Sequence, residues 1–256
     1  MEINKYLERI NYPGEIKPAI ENLSALQEAH LMAVPFENLD IMRGVKIDLN
    51  NLYHKIVIHK RGGFCYELNG LFYQLLKQLG FNVKMVSANV YNSDTKKYGA
   101  DFDHMAIISE FSGSRFLVDV GFGEFALHPL KIELKREAHD PRGIFSMEAF
   151  DKGYIVVKKK NAEGKFVPEY IFSETERRLE EFKGMCIYHQ TSPESHFTQK
   201  SICSLPTRDG RITFTGNVLK MNKNGVITEA ELNTQEEKEQ ALWKYFGVKL
   251  DDGKSV

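Results

Sequence analysis

The spacing of apolar residues changes character part-way along the chain. In the segment Tyr66–Leu79, six large apolar residues recur at i, i+3, i+4 and i+7, the pattern of a helix with one buried face. Gly80 follows as a helix stop signal, and a second helix is predicted over Ile16–Ala33. Residues 1–80 are therefore predicted to be helical.

From about Asn82 the pattern becomes that of strands. Short β-branched or aromatic stretches are separated by Gly, Asn and Ser. Ser173 with Glu176 forms a capping-box pattern, which predicts a helix through about Phe182. The predicted strands are Val83–Tyr91, His104–Phe111, Arg115–Val120, Tyr154–Lys158 and Phe166–Phe172.

The last part of the chain mixes both patterns. Arg211–Gly216 is predicted to be a strand, and Asn224-Gly225 is a hairpin turn signal. Thr234 and Glu237 predict the start of a final helix that ends near Gly247. The layout is thus a helical part, a central β part and a small α/β part.

Composition narrows the function classes. The chain carries 34 Lys and Arg against 35 Asp and Glu, so no basic field is expected to hold nucleic acid or a membrane surface. No segment approaches the roughly 18 apolar residues of a membrane span. Cys65, Cys186 and Cys203 lie far apart, which argues against a disulfide framework and a cysteine-rich metal site. We expect a cytoplasmic protein without a metal.

One cysteine lies where a nucleophile is expected. Gly62 and Gly63 permit a tight turn and close backbone approach, and Cys65 follows at the start of the apolar helix. Unpaired N–H groups and the helix dipole favour a thiolate there and could stabilise an oxyanion. Arg61 could pair with Glu37 and hold the loop. The alternative is an inert core thiol beside a solvated arginine.

A cysteine nucleophile requires a base and a group that orients the base. His104 opens a strand, and Asp119 is a carboxylate in an otherwise apolar strand, which is costly unless it is paired. The Ser112-Gly113-Ser114 connection predicts a hairpin that brings both residues to its open end. Singly, each could be a satisfied core residue, Asp119 by binding amides of the Gly121–Gly123 turn. Together with Cys65 they suggest a catalytic triad.

At this point the sequence resembles the arylamine N-acetyltransferase family. The resemblance spans residues from about 5 to 247 and is carried by motifs that stand in the same chain order. They are the nucleophile run 61–69, the triad segments 104–106 and 119–123, the N-terminal run 34–40, and the later runs 192–198 and 201–207.

The resemblance implies an α+β fold in three parts around a cysteine-protease-like Cys-His-Asp core. These are a helical bundle over 1–80 carrying the nucleophile, a β-barrel-like domain over 81–188 carrying the histidine and aspartate, and an α/β lid over 189–256. It also implies acetyl transfer from acetyl-coenzyme A, through a thioester on Cys65, to aromatic amines or hydrazines. A role in xenobiotic metabolism follows from the same likeness.

The resemblance further assigns binding residues. Three phenylalanines match positions where the family lines its acceptor pocket, namely Phe36, Phe122 and Phe214. Four other residues match segments that approach coenzyme A, namely Ala100, Asp101, Asp103 and Gly216. The two aspartates suit phosphate poorly, so either backbone contacts or a shifted pose of the coenzyme is expected there. Core packing is the ordinary alternative for the phenylalanines.

Three other functions remain open at this stage. A cysteine hydrolase or transglutaminase-like enzyme would use the same triad order. A non-catalytic small-molecule-binding relative would keep the fold without chemistry. Amide formation in polyketide or ansamycin synthesis would use similar motifs with a different acyl donor. A monomer or homodimer is expected.

Overall fold

The computed structural model describes residues 1–250. They form two compact units: the first holds residues 1–13, 29–68 and the described chain from Lys183 onward, and the second holds residues 14–28 and 69–182. The three-part division at 1–80, 81–188 and 189–256 stays a prediction, and residues 251–256 of its last part lie outside the described residues.

The first unit contains a five-stranded antiparallel sheet. In spatial order its strands are Phe36–Glu37, Ile202–Thr207, Gly210–Thr215, Val218–Lys223 and Val226–Glu231. The predicted Asn224-Gly225 turn joins the last two, and both of its residues have positive φ, 51° and 83°. This is the backbone that a tight hairpin requires.

Short helices accompany this sheet. They are Ile3–Arg9, Leu39–Met42, a π-helical turn at His54–Ile58, Lys183–Thr191, His196–Gln199 and Gln235–Phe246. The last one has the predicted capping box of Thr234 and Glu237 and ends at the left-handed Gly247. Phe214, Leu219 and Leu242 bury its inner face against the sheet.

The second unit is built on a nine-stranded sheet. Its path is Leu130–Lys131, Ser114–Val118, His104–Phe111, Asn82–Asn92, Phe166–Phe172, Ile155–Lys160, Gly143–Ala149 and Glu137–Asp140, with Lys97–Tyr98 paired beside Asn82–Asn92. Leu134, just beyond one end of this path, bridges Met147 near the other end. The sheet therefore curls into a nearly closed barrel around a core that includes Val86, Ile108 and Phe145.

Two helices are shared between the units along the chain. Ile20–Ala33 begins later than predicted, after Pro18, because the residue before a proline disfavours helical backbone. Cys65–Gln78 carries the predicted apolar stripe. Five of its residues are fully buried, namely Leu68, Leu71, Phe72, Leu75 and Leu76.

None of the helices within residues 1–250 has the length and apolarity that a membrane span needs.

The helix predicted from Ser173 to Phe182 is wrong over most of its length. The backbone N–H groups of Ser173 and Arg177 donate instead to the carbonyls of Ser87 and Met85, at 3.4 and 2.9 Å. Only Leu179–Phe182 forms a 3-10 turn. Pairing along a neighbouring strand therefore outweighs the local capping signal.

Candidate active site

The loop before Cys65 is fixed by a strand-like contact that only glycine allows. Phe36 bridges Gly63, the Glu37 N–H donates to the Gly63 carbonyl at 2.8 Å, and the Gly63 N–H donates to the Pro35 carbonyl at 3.3 Å. A Cβ at Gly62 would collide with the Pro35 carbonyl oxygen. The two glycines thus let two backbone segments lie against each other directly before the cysteine.

Arg61 holds this loop through buried carboxylates, as the sequence predicted for its pairing with Glu37. Its Nε and Nη2 groups donate to the two Glu37 carboxylate oxygens at 2.9 and 3.1 Å, and Nη2 donates to Asp40 at 2.8 Å. Lys55 binds Asp40 at 2.7 Å and Glu67 at 2.8 Å. We call these five residues the charge network.

Cys65 is the first residue of the helix Cys65–Gln78 and is 3% exposed. The Glu67 carboxylate accepts the Phe64 N–H at 3.1 Å, which fixes the backbone next to the cysteine. The other two thiols differ. Burial raises the pKa of the Cys186 thiol to about 12, and burial holds that of Cys203 well above its ordinary value. Of the three thiols, only Cys65 stands at a helix start.

His104 and Asp119 meet in the second unit, as the hairpin predicted. His104 is the first residue of its strand, and Asp119 directly follows the strand Ser114–Val118. The ring Nε2 lies 2.7 Å from the Asp119 Oδ2. An ionised carboxylate only accepts hydrogen bonds, so Nε2 carries the proton and Nδ1 of the neutral ring is left as an acceptor.

Four donors satisfy the Asp119 carboxylate, which is 1% exposed. Oδ2 accepts from His104 and from the Tyr170 hydroxyl at 3.0 Å, while Oδ1 accepts from the Asn69 amide and the Gly121 N–H, both at 2.9 Å. Burial and the nearby carboxylate hold the pKa of Tyr170 well above its ordinary value, so its hydroxyl stays a donor. The donor set stabilises a buried negative charge beside the imidazole.

Asn69 and Tyr170 are site residues that the sequence analysis did not assign. Asn69 also donates to the Met105 carbonyl at 2.6 Å and accepts the Val120 N–H at 2.9 Å. It lies four residues after Cys65, so both occupy one face of the same helix. In the sequence, an amide side chain on the apolar face of the predicted helix was a signal that could have identified Asn69. Nothing in the local sequence distinguishes Tyr170.

The three phenylalanines predicted to line the pocket for the acetyl acceptor have different surroundings. The partly buried Phe122 ring contacts the His104 ring at 5.2 Å and the Tyr170 ring at 5.0 Å between centroids. Phe36 belongs to the first unit and contacts Phe197 at 6.1 Å. Phe214 is fully buried in the apolar core beneath the helix Gln235–Phe246. Of the three, only Phe122 contacts the histidine in the second unit.

The predicted coenzyme residues fall into two places. Ala100 is exposed, and the Asp101 and Asp103 carboxylates accept from the Asn89 amide at 3.1 Å and the Val90 N–H at 3.2 Å. These contacts hold the loop that leads into His104. Gly216 lies in a turn of the first unit with φ +60°. The two aspartates thus bind the neighbouring strand Asn82–Asn92, and their contact with coenzyme A stays a prediction.

Comparison with known proteins identifies the family. The family model described as N-acetyltransferase matches residues 19–256. The chain is 34% identical to the chicken (Gallus gallus) arylamine N-acetyltransferase, pineal gland isozyme NAT-3, over 98% of this chain and 95% of that protein. This chain belongs to the arylamine N-acetyltransferase family. The predicted arylamine N-acetyltransferase function is therefore confirmed at the level of the family.

Solved structures of arylamine N-acetyltransferases share the fold. The Salmonella typhimurium enzyme aligns with a TM-score of 0.91 at 25% identity, covering 98% of this chain and 92% of that one. The Mycobacterium marinum enzyme in complex with CoA aligns with a TM-score of 0.88 at 28% identity, covering 96% and 93%. The predicted α+β fold with a barrel-like sheet is confirmed.

Proposed function

We propose that this chain transfers an acetyl group from acetyl-coenzyme A to an aromatic amine or hydrazine through a thioester on Cys65. His104 is the proposed base, and Asp119 orients it. The observation that carries these roles is the buried Asp119 carboxylate, whose four donors include His104 Nε2 at 2.7 Å. Such a carboxylate fixes the tautomer in which Nδ1 accepts a proton.

Transfer would proceed in two steps. In the first, the Cys65 proton moves to Nδ1 of His104, the thiolate attacks the thioester carbonyl, and coenzyme A leaves as a thiol with that proton. In the second, the amine attacks acetyl-Cys65, and its proton returns through His104 to the sulfur. Positioned proton transfer of this kind contributes about 10²–10⁴-fold to the rate. N–H groups at the start of the helix would stabilise the oxyanion.

The acceptor would lie against aromatic side chains. Phe122 contacts His104, which supports an aromatic amine whose nitrogen approaches the acetylated sulfur beside this ring. Phe36 and Phe214 stay proposed lining residues. Arylamines are weak bases that are largely unprotonated at neutral pH, so they are ready nucleophiles.

Acetyl-coenzyme A is the proposed acetyl donor. Membership of the family and the related M. marinum enzyme solved in complex with CoA support it. We assign Ala100, Asp101, Asp103 and Gly216 to coenzyme contacts, with backbone groups as the ligands.

We also propose a cytoplasmic monomer or homodimer that acts in xenobiotic metabolism and takes small molecules rather than nucleic acid or membrane as partners. Light scattering after size-exclusion chromatography tests the oligomeric state.

Mass spectrometry of the intact protein tests the chemistry. Incubation with acetyl-coenzyme A alone should give one acetyl adduct, which peptide mapping assigns to Cys65 and which disappears on adding an arylamine. Cys65→Ser should give no adduct, whereas the matched variant Cys186→Ala should acetylate like the unmodified chain. An adduct on another residue, or none, contradicts the proposal.

A further inference from the structure

The last strand of the five-stranded sheet, Val226–Glu231, has a neighbouring strand on one side only. It pairs with Val218–Lys223 in continuous register, and no strand within residues 1–250 pairs with its outer side. All six of its residues are exposed, and Val226 and Ile227 are 66% and 53% exposed. We call Val226–Glu231 the edge strand. Such an edge presents backbone groups that can pair with a further strand.

The other sheet edges are shorter or covered. At the opposite end of the same sheet, Phe36–Glu37 has only two residues, and Phe36 bridges Gly63. The nine-stranded sheet curls until Leu134 bridges Met147. The edge strand contains no lysine, proline or bulge, which are the features that commonly block pairing at an edge. It is therefore the end of its sheet that can accept another strand.

The hairpin determines which backbone groups of the edge strand point outward. Leu232, directly after the strand, donates its N–H to the Asn217 carbonyl at 2.7 Å, in line with the register of the hairpin. Even-numbered residues of the edge strand therefore bond to the neighbouring strand. Because bonded and non-bonded pairs alternate in an antiparallel ladder, the odd-numbered residues direct their N–H and C=O groups outward. These residues are Ile227, Glu229 and Glu231.

Charge selects one register for pairing with a second copy of the chain. Outward bonding requires odd-numbered residues to lie opposite each other. Glu229 opposite Glu229 or Glu231 of the second copy would bring two carboxylates together, which is destabilising. Glu229 opposite Ile227 avoids this, and Glu229 keeps its ion pair with Lys220 at 3.5 Å. This register sets Thr228 against Thr228 on a two-fold axis, and threonine pairs are favourable across strands.

Strand length favours the same register. With Thr228 on the axis, five residues of each edge strand lie opposite residues of the other, whereas a register centred on Ile227 opposes only three. The longer overlap also places the exposed Val226 opposite Ala230 of the second copy, an apolar pair on one face. The sequence of the edge strand is thus complementary to itself in one antiparallel arrangement.

We propose that two copies of this chain dimerise by antiparallel pairing of their edge strands, with Thr228 on the two-fold axis. The two five-stranded sheets join into one sheet of ten strands through an interface that uses the same surface twice. A single strand pair is a small interface, so the dimer is weak and depends on concentration. The proposal selects the dimer from the two oligomeric states proposed above, and its failure would leave the acetyl-transfer chemistry untouched.

Cysteine cross-linking tests the register. Thr228→Cys places two thiols at a non-bonded pair, where Cα atoms are about 4.5 Å apart and a disulfide can form. Oxidised glutathione should link this variant into a dimer. Val226→Cys, on the same face, is the matched control and should link at least about tenfold more slowly, because its copy lies roughly 14 Å away along the strand. Mixing Val226→Cys with Ala230→Cys should restore linking. The three native cysteines are buried.

Sedimentation velocity over a range of concentrations tests the association itself. The unmodified chain should shift from monomer towards dimer, whereas Ile227→Pro should stay monomeric, because proline removes an N–H that points away from its own sheet. Unchanged thermal unfolding of Ile227→Pro excludes misfolding as the cause.

Three results would overturn the proposed dimer. The first is Thr228→Cys linking no faster than Val226→Cys. The second is an unmodified chain that stays monomeric at every concentration, which would leave the edge strand to a different partner. The third is a dimer that Ile227→Pro leaves intact, which would place the interface elsewhere on the surface.

Discussion

Asp119 and Asp40 are buried carboxylates that this chain stabilises in opposite ways. Asp119 is surrounded by an amide, a hydroxyl, a backbone N–H and an imidazole, none of which needs to carry a charge. Asp40 is surrounded by the full charges of Lys55, Arg61 and Arg43. Burial opposes its ionisation, but Lys55 and Arg61 outweigh that effect and lower the pKa of Asp40.

The two kinds of partner suit a catalytic role for Asp119 and a structural role for Asp40. Neutral donors leave the Asp119 charge uncompensated, so in the proposed mechanism it would stabilise the cation formed when His104 takes a proton. In the charge network every anion already has a counterion, and burial of Lys55, which disfavours its charge, is outweighed by Glu67, Glu37 and Asp40, so its pKa is raised. Such a cluster fixes the Arg61-Gly62-Gly63 loop. It is poorly suited to exchanging protons near neutral pH.

The largest expected effect comes from removing the uncompensated charge. Asp119→Asn keeps the shape of the side chain but replaces the carboxylate with an amide that favours the wrong imidazole tautomer. We expect kcat/KM for acetyl transfer to fall about 10³–10⁴-fold, as when such a carboxylate is lost from other triads. Steady-state kinetics measures this, with the exposed Asp94→Asn as control. A loss of less than tenfold would contradict the assigned role.

Breaking the charge network should instead affect stability. Arg61→Ala leaves Glu37 and Asp40 buried without one of their counterions, which costs about 3–5 kcal/mol of unfolding free energy. Urea denaturation measures the loss, and the exposed Arg208→Ala should change it by less than about 0.5 kcal/mol. An unchanged midpoint in Arg61→Ala would show that the network does not hold the fold.

Glu169 is a third carboxyl group removed from water, and it has neither neutral hydrogen-bond donors like those of Asp119 nor ion-pair partners like those of Asp40. It makes no hydrogen bond or ion pair with any described residue and lies at an irregularity in the pairing of its strand, between Pro168 and Tyr170. Burial, opposed in part by Lys159, raises its pKa to about 7. The unfolded chain ionises this group near 4.5, so the folded state holds the proton more tightly and stability falls as pH rises from about 4.5 to 7.

Glu169→Gln should therefore remove the loss of stability that the ionisation of this group causes as pH rises. Between pH 4.5 and pH 8, we expect the free energy of unfolding of the variant to rise by up to about 3 kcal/mol relative to that of the unmodified chain. Urea denaturation at both values provides the measurement, with the exposed Glu163→Gln as a matched control. A difference between variant and parent that is the same at both pH values would disprove the assignment.

The smallest effect should follow from removing one of the four Asp119 donors. Tyr170→Phe deletes the hydroxyl at 3.0 Å and keeps the ring beside Phe122. A single hydrogen bond to a charged group contributes about 1.5–3 kcal/mol, and three donors remain. We expect kcat to fall about tenfold with little change in the arylamine KM. An increase in KM alone would assign Tyr170 to substrate packing instead.

The sequence predicted those features whose signal is local. The apolar stripe identified the helix Cys65–Gln78, the Thr234–Glu237 box and Gly247 identified the last helix, and the hairpin rule brought His104 to Asp119. In each case the residues that produce the structure are neighbours along the chain. The Arg61–Glu37 pair was one possible pairing, and the sequence alone did not separate it from a solvated arginine.

Features set by distant residues were not predictable in this way. The segment after Ser173 has a helical cap, yet it pairs with Ser87 and Met85, far away in the chain. Tyr170 binds Asp119 from another strand of the sheet without any distinguishing pattern in the sequence. Such contacts depend on which strands and loops become neighbours.

The central claim is that Cys65, His104 and Asp119 act as one unit, and the rate at which Cys65 is alkylated by iodoacetamide at neutral pH tests it most directly. The account predicts that His104→Gln and Asp119→Asn each slow alkylation strongly, and that the double variant is no slower than His104→Gln. Rates unchanged by either substitution, or losses that add in the double variant, would contradict it.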